Sequence, residues 1–169
     1  MKRKIASFTG GRPIFTGSPA IVPGGFNLDV VKQKFPPGMI IPGGSLAIYD
    51  EVKRTVWIVK TASVVEVNSE NAKEVTLKVD EFYAPIFAVG DKVAKGGAIS
   101  GTFADAAQIT AISQTDNSCV ITLSKAISGL TAGDVIVEVV KDASDNAAEI
   151  GKANALTLAD VEVSEFETG

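Results

Sequence analysis

The chain has 169 residues, 46% hydrophobic and 21% charged, enough apolar material for one packed domain and too much for a disordered chain. It contains no histidine and one cysteine, which excludes His-dependent triads, the commonest metal ligand, an internal disulfide and a thiolate cluster. The net charge of −4 is unevenly spread: residues 1–60 hold nine Lys or Arg against three Asp or Glu, and residues 61–169 hold seven against seventeen.

A basic head on an acidic body points to two different surroundings. The basic residues are scattered and have few aromatics between them, so an acidic protein surface fits at least as well as nucleic acid. Gly and Pro follow Lys2, Arg3 and Lys4 where the apolar run of a signal peptide would stand, so secretion by that route is not expected. No apolar run is long enough to span a membrane.

From Phe8 to Gly44 the chain is punctuated by "TGGRP", "FTGSPA", "VPGGF", "FPPGM" and "IPGGS". Pro lacks a ladder donor and Gly loosens the backbone, so long helices and central strands are unfavourable here. Apolar residues nevertheless recur. Residues 1–44 are therefore expected to form an extended arm whose anchors, Ile14, Phe15, Ile21, Val22, Phe26 and Phe35, plug into a neighbouring surface. Leu28, Val31 and Phe35 fall at helical spacing and predict a short helix within it.

After Gly44 the pattern turns to period two. "SLAIYDEVKRTVWIV" predicts two strands around a polar turn, "SVVEV" and "EVTLKV" a hairpin across "NSENAK", and "AQITAIS" and "CVITLS" a second hairpin across "QTDN". "DVIVEVV" and "LTLADVEVS" supply the remaining strands. Residues 45–169 thus read as a mainly β domain, a small antiparallel barrel or sandwich. One helix is expected from Ser144, a plausible cap, to a stop at Gly151.

One phrase is written twice. "PIFAVGDKVAKGG" (Pro85–Gly97) and "SGLTAGDVIVEVV" (Ser128–Val140) both carry a large apolar residue, two spacers, Gly-Asp, and a branched residue two positions after the Asp. The residues are Phe87, Gly90 and Asp91 in the first copy, and Leu130, Gly133 and Asp134 in the second. The favoured meaning is a strand corner used twice: the apolar residue anchors, Gly turns the backbone, and Asp bonds nearby amides. The alternative is a pair of carboxylates placed for metal or acid–base work.

No catalytic, metal or cofactor site emerges. "GGRPIFTGSPA" fails as a phosphate loop in both spacing and its missing Lys, and no loop has the spaced oxygens that calcium needs. Cys119, alternating with Ile121 and Leu123, reads as a small buried hydrophobe. Trp57 reads as core or interface, with a stacking platform as the alternative. An enzyme would have to work with carboxylates alone, through a close exposed pair in a cleft.

Across residues 36–163 the order of segments resembles small virion proteins of tailed bacteriophages, especially head fibre and capsid decoration proteins of phages of Bacteroides and relatives. The matching residues are Pro37, Gly38, Pro42 and Gly43 before the first strand, then Phe87, Val89, Gly90, Asp91 and Val93 at the first corner. Ile109, Ile112, Ile121 and Leu123 match in the second hairpin, and Gly133 and Asp134 at the second corner. The resemblance implies a non-enzymatic, homo-oligomeric, often trimeric protein docked on the outer capsid. The major capsid protein would be its partner, with no cofactor, nucleic acid or membrane. The alternative is a glycan- or host-surface-binding module of a tail or adhesion apparatus, with Trp57 and the loop from Lys95 to Gly101 as contacts.

Overall fold

A computed structural model describes residue 18 and residues 20–29, 33–36, 38–80, 83–115 and 117–163. Among these residues the chain is all β. Short strands β1 (Asn27–Leu28) and β2 (Ile40–Ile41) precede β3 (Leu46–Asp50), β4 (Thr55–Ile58), β5 (Thr61–Val67) and β6 (Glu74–Leu77). There follow β7 (Lys92–Lys95), β8 (Ala107–Gln114), β9 (Cys119–Leu123), β10 (Val135–Lys141), β11 (Ala147–Glu149), β12 (Ala155–Leu156) and β13 (Val161–Glu162).

Six strands close a barrel in the order β10-β5-β6-β9-β8-β7, every pair antiparallel, with β7 returning to β10. Closure leaves no free edge among these six. Their inward positions alternate along each strand, as the pleat requires. Val64, Val75, Leu77, Val93, Ile109, Cys119, Ile121, Leu123 and Ile136 fill the interior. Burial pushes the Cys119 thiol up to about 11, so it stays protonated and inert near neutrality.

The two Gly-Asp phrases form matching corners of this barrel. In each, the Asp amide donates to the carbonyl three residues back, Ala88 or Thr131, at 3.1 Å. Gly90 (φ 98°) and Gly133 (φ 89°) take the positive-φ place of these turns. Each Asp Oδ2 accepts from the amide of that same residue, at 2.8 Å from Ala88 and 2.7 Å from Thr131. Each corner then grips one strand residue: Gly90 N–H donates to Ile109 O and Ile109 N–H to Asp91 O, while Gly133 N–H donates to Val64 O and Val64 N–H to Asp134 O. Phe87 and Leu130 are buried in the barrel core. The barrel is therefore two equivalent halves, hairpin β5–β6 with β7 and hairpin β8–β9 with β10, related by a pseudo-twofold.

Outside the barrel, β1, β4, β3 and β12 form a second sheet, and β2 pairs with β13. A separate core lies here, made of Phe35, Ile41, Ala47, Ile58, Ile86 and Val163. Residues 23–29 lie as a strap against Arg54 and β4. Strand β1 pairs with it in parallel, and the Arg54 guanidinium donates to the carbonyls of Pro23 and Gly25 at 2.8 and 2.9 Å. The expected boundary at residue 44 thus falls between segments that pair with one another.

Of the two expected helices, the one from Ser144 to Gly151 is corrected, and the other runs through residues 30–32, which lie outside the described residues. Leu28 itself lies in β1, and past it the Gln33 amide donates to the Asp29 carbonyl at 3.1 Å. Between Ser144 and Gly151 the chain instead forms β11, paired with β10. Asp142 Oδ1 accepts from the amides of Ser144 and Asn146, both at 2.8 Å, and Asp145 sits at φ 65°. That tight turn ends any helix before it can start.

Replacing either corner glycine by alanine forces a side chain into positive φ and should cost about 1–2 kcal/mol. Gly133→Ala meets no atom within 4 Å, and Gly90→Ala meets only the end of the Lys34 side chain, at 3.3 Å, and Gln108 at 3.8 Å. Similar drops in urea midpoint are expected for the two variants. A neutral result at both sites would contradict the strained-corner account.

Candidate functional site

Lys60 is the junction of the molecule, two residues after β4 leaves the outer sheet and one before β5 enters the barrel. Its side chain points inward with Ile58 and Ala62 and is fully enclosed, at 0% exposure. A buried ammonium needs partners for its donors and its charge. Lys60 Nζ donates to Asp91 Oδ2 at 2.7 Å and to the Lys34 carbonyl at 2.7 Å. Glu138 Oε1 lies at 3.5 Å, and the Phe35 ring centroid at 4.5 Å closes the remaining side.

Gln33, also buried, completes the network. Its Nε2 donates to Glu138 Oε2 at 2.6 Å and to Ile58 O at 2.7 Å, and its Oε1 accepts from Ile58 N–H at 2.8 Å. One ammonium thus faces two carboxyl groups. Burial, which outweighs the attraction of Lys60, raises the Glu138 pKa, and the Asp91 charge adds to the rise.

The second corner solves the same problem at the surface. Asp134 Oδ2 pairs with Lys95 Nζ at 2.8 Å, and that hydrogen bond, with the Thr131 amide, lowers the Asp134 pKa. The pseudo-twofold that carries Asp134 onto Asp91 also carries Lys95 onto Glu138. A like charge therefore stands where the other corner has its cation, and Lys60 is the ion that separates the two carboxylates.

Above the network opens a cleft of about 580 Å³. Asp91 and Glu138 form its floor, and Trp57, Phe103, Val139, Val140 and Ile150 its apolar walls. Lys34, Lys92 and Lys141 stand around it. Trp57 Nε1–H donates to Asp29 Oδ2 at 2.7 Å, fixing the ring to the strap. Lys92 is spent on the carbonyls of Phe103 and Ala104, at 2.6 and 2.8 Å, and Lys141 pairs with Asp145 at 2.6 Å.

Of the residues singled out from the sequence, Asp91 and Gly90 line this cleft and Trp57 joins them. The loop from Lys95 to Gly101 does not. Asp91 and Asp134 belong to opposite corners and share no ligand. Among the anchors, Ile14 and Phe15 lie outside the described residues, and Ile21 is 66% exposed. Val22 is half-buried. Phe26 packs edge-on against Tyr49, ring centroids 5.2 Å apart, beneath the Arg54 guanidinium. Phe35 is buried in the outer core of its own chain.

Lys60, Glu138 and Gln33 were not singled out. Lys60 and Glu138 are the charged members of otherwise apolar inward rows, Ile58-Lys60-Ala62-Val64 and Ile136-Glu138, and that parity is the signal. Among the described residues no group of three or more Asp, Glu or Cys is placed to hold a metal ion. The carboxylate pair is close but bridged by an ammonium, so what the geometry can do best is hold two layers together. No protein family, curated protein or solved structure matches the chain.

Removing Lys60 strands two buried carboxylates, and Lys60→Met should cost about 3–5 kcal/mol. Glu138→Gln keeps an acceptor for Gln33 and leaves a neutral Lys60–Asp91 pair, so chemical denaturation should show it within about 1 kcal/mol of wild type. Equal large losses in the two variants would rule out this charge balance. Glu138 also makes a pH signature. Because its folded pKa is raised, its contribution is fully present below the ordinary glutamate value of 4.5 and is lost as pH rises through the folded value. The stability of wild type relative to Glu138→Gln should therefore fall with increasing pH across that window, and a flat difference would contradict it.

Proposed function

We propose that the chain is a non-enzymatic structural subunit of a tailed-bacteriophage virion, a head fibre or decoration protein on the outer capsid surface. It assembles as a homo-oligomer, a trimer by the resemblance of its segments, and meets the major capsid protein through the basic N-terminal part of the arm. The observation that carries this reading is the outward apolar set on the arm-side strands. Leu46 and Leu156 stand opposite one another on β3 and β12, and with Leu158 and Val161 they are each close to half exposed. Exposed apolar groups of this kind mark contact surfaces.

The polar chemistry supports the same view, since the buried Lys60 ammonium is spent on Asp91, Glu138 and the Lys34 carbonyl. The strap places a limit on the arm. Phe26 and Phe35 are used within the chain's own fold, so the docking role falls to Ile21 and the residues before it, where Lys2, Arg3, Lys4 and Arg12 lie. Their charge complements an acidic capsid surface.

Deleting residues 1–17 removes neither the strap contacts nor Gln33 and should leave the unfolding midpoint unchanged while abolishing co-sedimentation with phage particles. Deleting residues 1–35 takes Gln33 and Phe35 with it and should destabilise the fold as well. Wild-type occupancy of particles by the shorter truncation would refute the docking role of the arm.

A further inference from the structure

The cleft beside the buried network has a polarity that the structural role does not use. Asp91 is 5% exposed, and its Oδ2 takes both the Lys60 and the Ala88 hydrogen bonds. Its Oδ1 accepts no hydrogen bond from the described residues, and the residue lines the cleft although its side chain is only 2% exposed. It is a carboxylate oxygen at the cleft floor with its acceptor capacity open. The floor as a whole sets the two carboxyl groups of Asp91 and Glu138 against the single ammonium of Lys60.

Around the floor stand three lysines, of which Lys92 and Lys141 are already bound to carbonyls and to Asp145. Lys34 is exposed, and its ammonium makes no hydrogen bond or ion pair among the described residues. The residue is anchored at the site by its own carbonyl, which accepts from Lys60 at 2.7 Å, and its Nζ lies beside Gly90. A carboxyl floor, a free cation at its edge, and aromatic and branched walls between them describe a dipolar pocket of ligand size.

We propose that this cleft binds a small zwitterion with an apolar body, in the class of an α-amino acid with a branched or aromatic side chain. The ligand ammonium donates to Asp91 Oδ1. The ligand carboxylate pairs with Lys34, and the side chain lies against Trp57, Phe103, Val139 and Ile150. A purely anionic ligand would meet the carboxyl floor, and a purely cationic one would leave Lys34 unmatched. The assignment is independent of the virion reading and stands or falls without it.

Trp57 is the chain's single tryptophan and lines the cleft, so its fluorescence reports occupancy directly. Titration of the full chain with L-leucine or L-phenylalanine should give a saturable change. Leucinamide, which lacks the carboxylate, and 4-methylpentanoate, which lacks the ammonium, should each bind at least about tenfold more weakly. Lys34→Met, at an exposed position, should weaken leucine about tenfold with leucinamide unaffected and with an unchanged unfolding midpoint. A flat titration with both amino acids overturns the proposal. So does leucine binding that is indifferent to Lys34 or equal to that of leucinamide.

Discussion

An ammonium shut away from water is tolerated only where the chain brings it acceptors and opposite charge, and Lys60 gathers both from three distant stretches. The Lys34 carbonyl and the neighbouring Phe35 ring come from the segment after the strap, Asp91 from a barrel corner, and Glu138 from the strand that closes the barrel. Asp91 is held in turn by the Ala88 amide, Glu138 by Gln33, and Gln33 by both backbone groups of Ile58. The outer sheet and the barrel have separate apolar cores. What fixes one against the other at their junction is polar, directional and intolerant of a shift in register.

The barrel itself rests on a simpler device used twice. A glycine at positive φ and an aspartate that bonds the amide three residues back convert an incoming segment into a strand, and the same two residues lock onto a neighbouring strand. The duplicated corners have diverged in what their carboxylates face. Asp134 is matched by a lysine on the adjacent strand and stays near solvent. Asp91 faces a glutamate in the equivalent place, and so the second half needs a cation from outside the repeat. That asymmetry is where the cleft opens, with one carboxylate oxygen unspent.

Much of this was legible in the sequence. Period-two runs such as Val75-Leu77 and Cys119-Ile121-Leu123 announce inward rows, because the pleat sends alternate side chains to one face. The repeated phrase announces its corners, because glycine and aspartate have local reasons to stand there. Pairing between distant segments was not legible: nothing near Ala147 says that it will lie beside Lys141, and a cap-like serine made a helix look natural. The buried network was half visible, as charged residues in the inward rows of β10 and of the approach to β5. Which carboxylate meets which lysine depends on barrel closure, and local pattern carries no information about that.

The strap decides how the molecule bears load. Strand β1 runs parallel to β4, and Arg54 grips the carbonyls of Pro23 and Gly25 just ahead of it. Tension applied upstream of Pro23 enters through the guanidinium clamp and the β1–β4 ladder, which lie outside the barrel wall. A pull on that end would strain the short clip first, while the closed ring of six strands stays unstretched behind it.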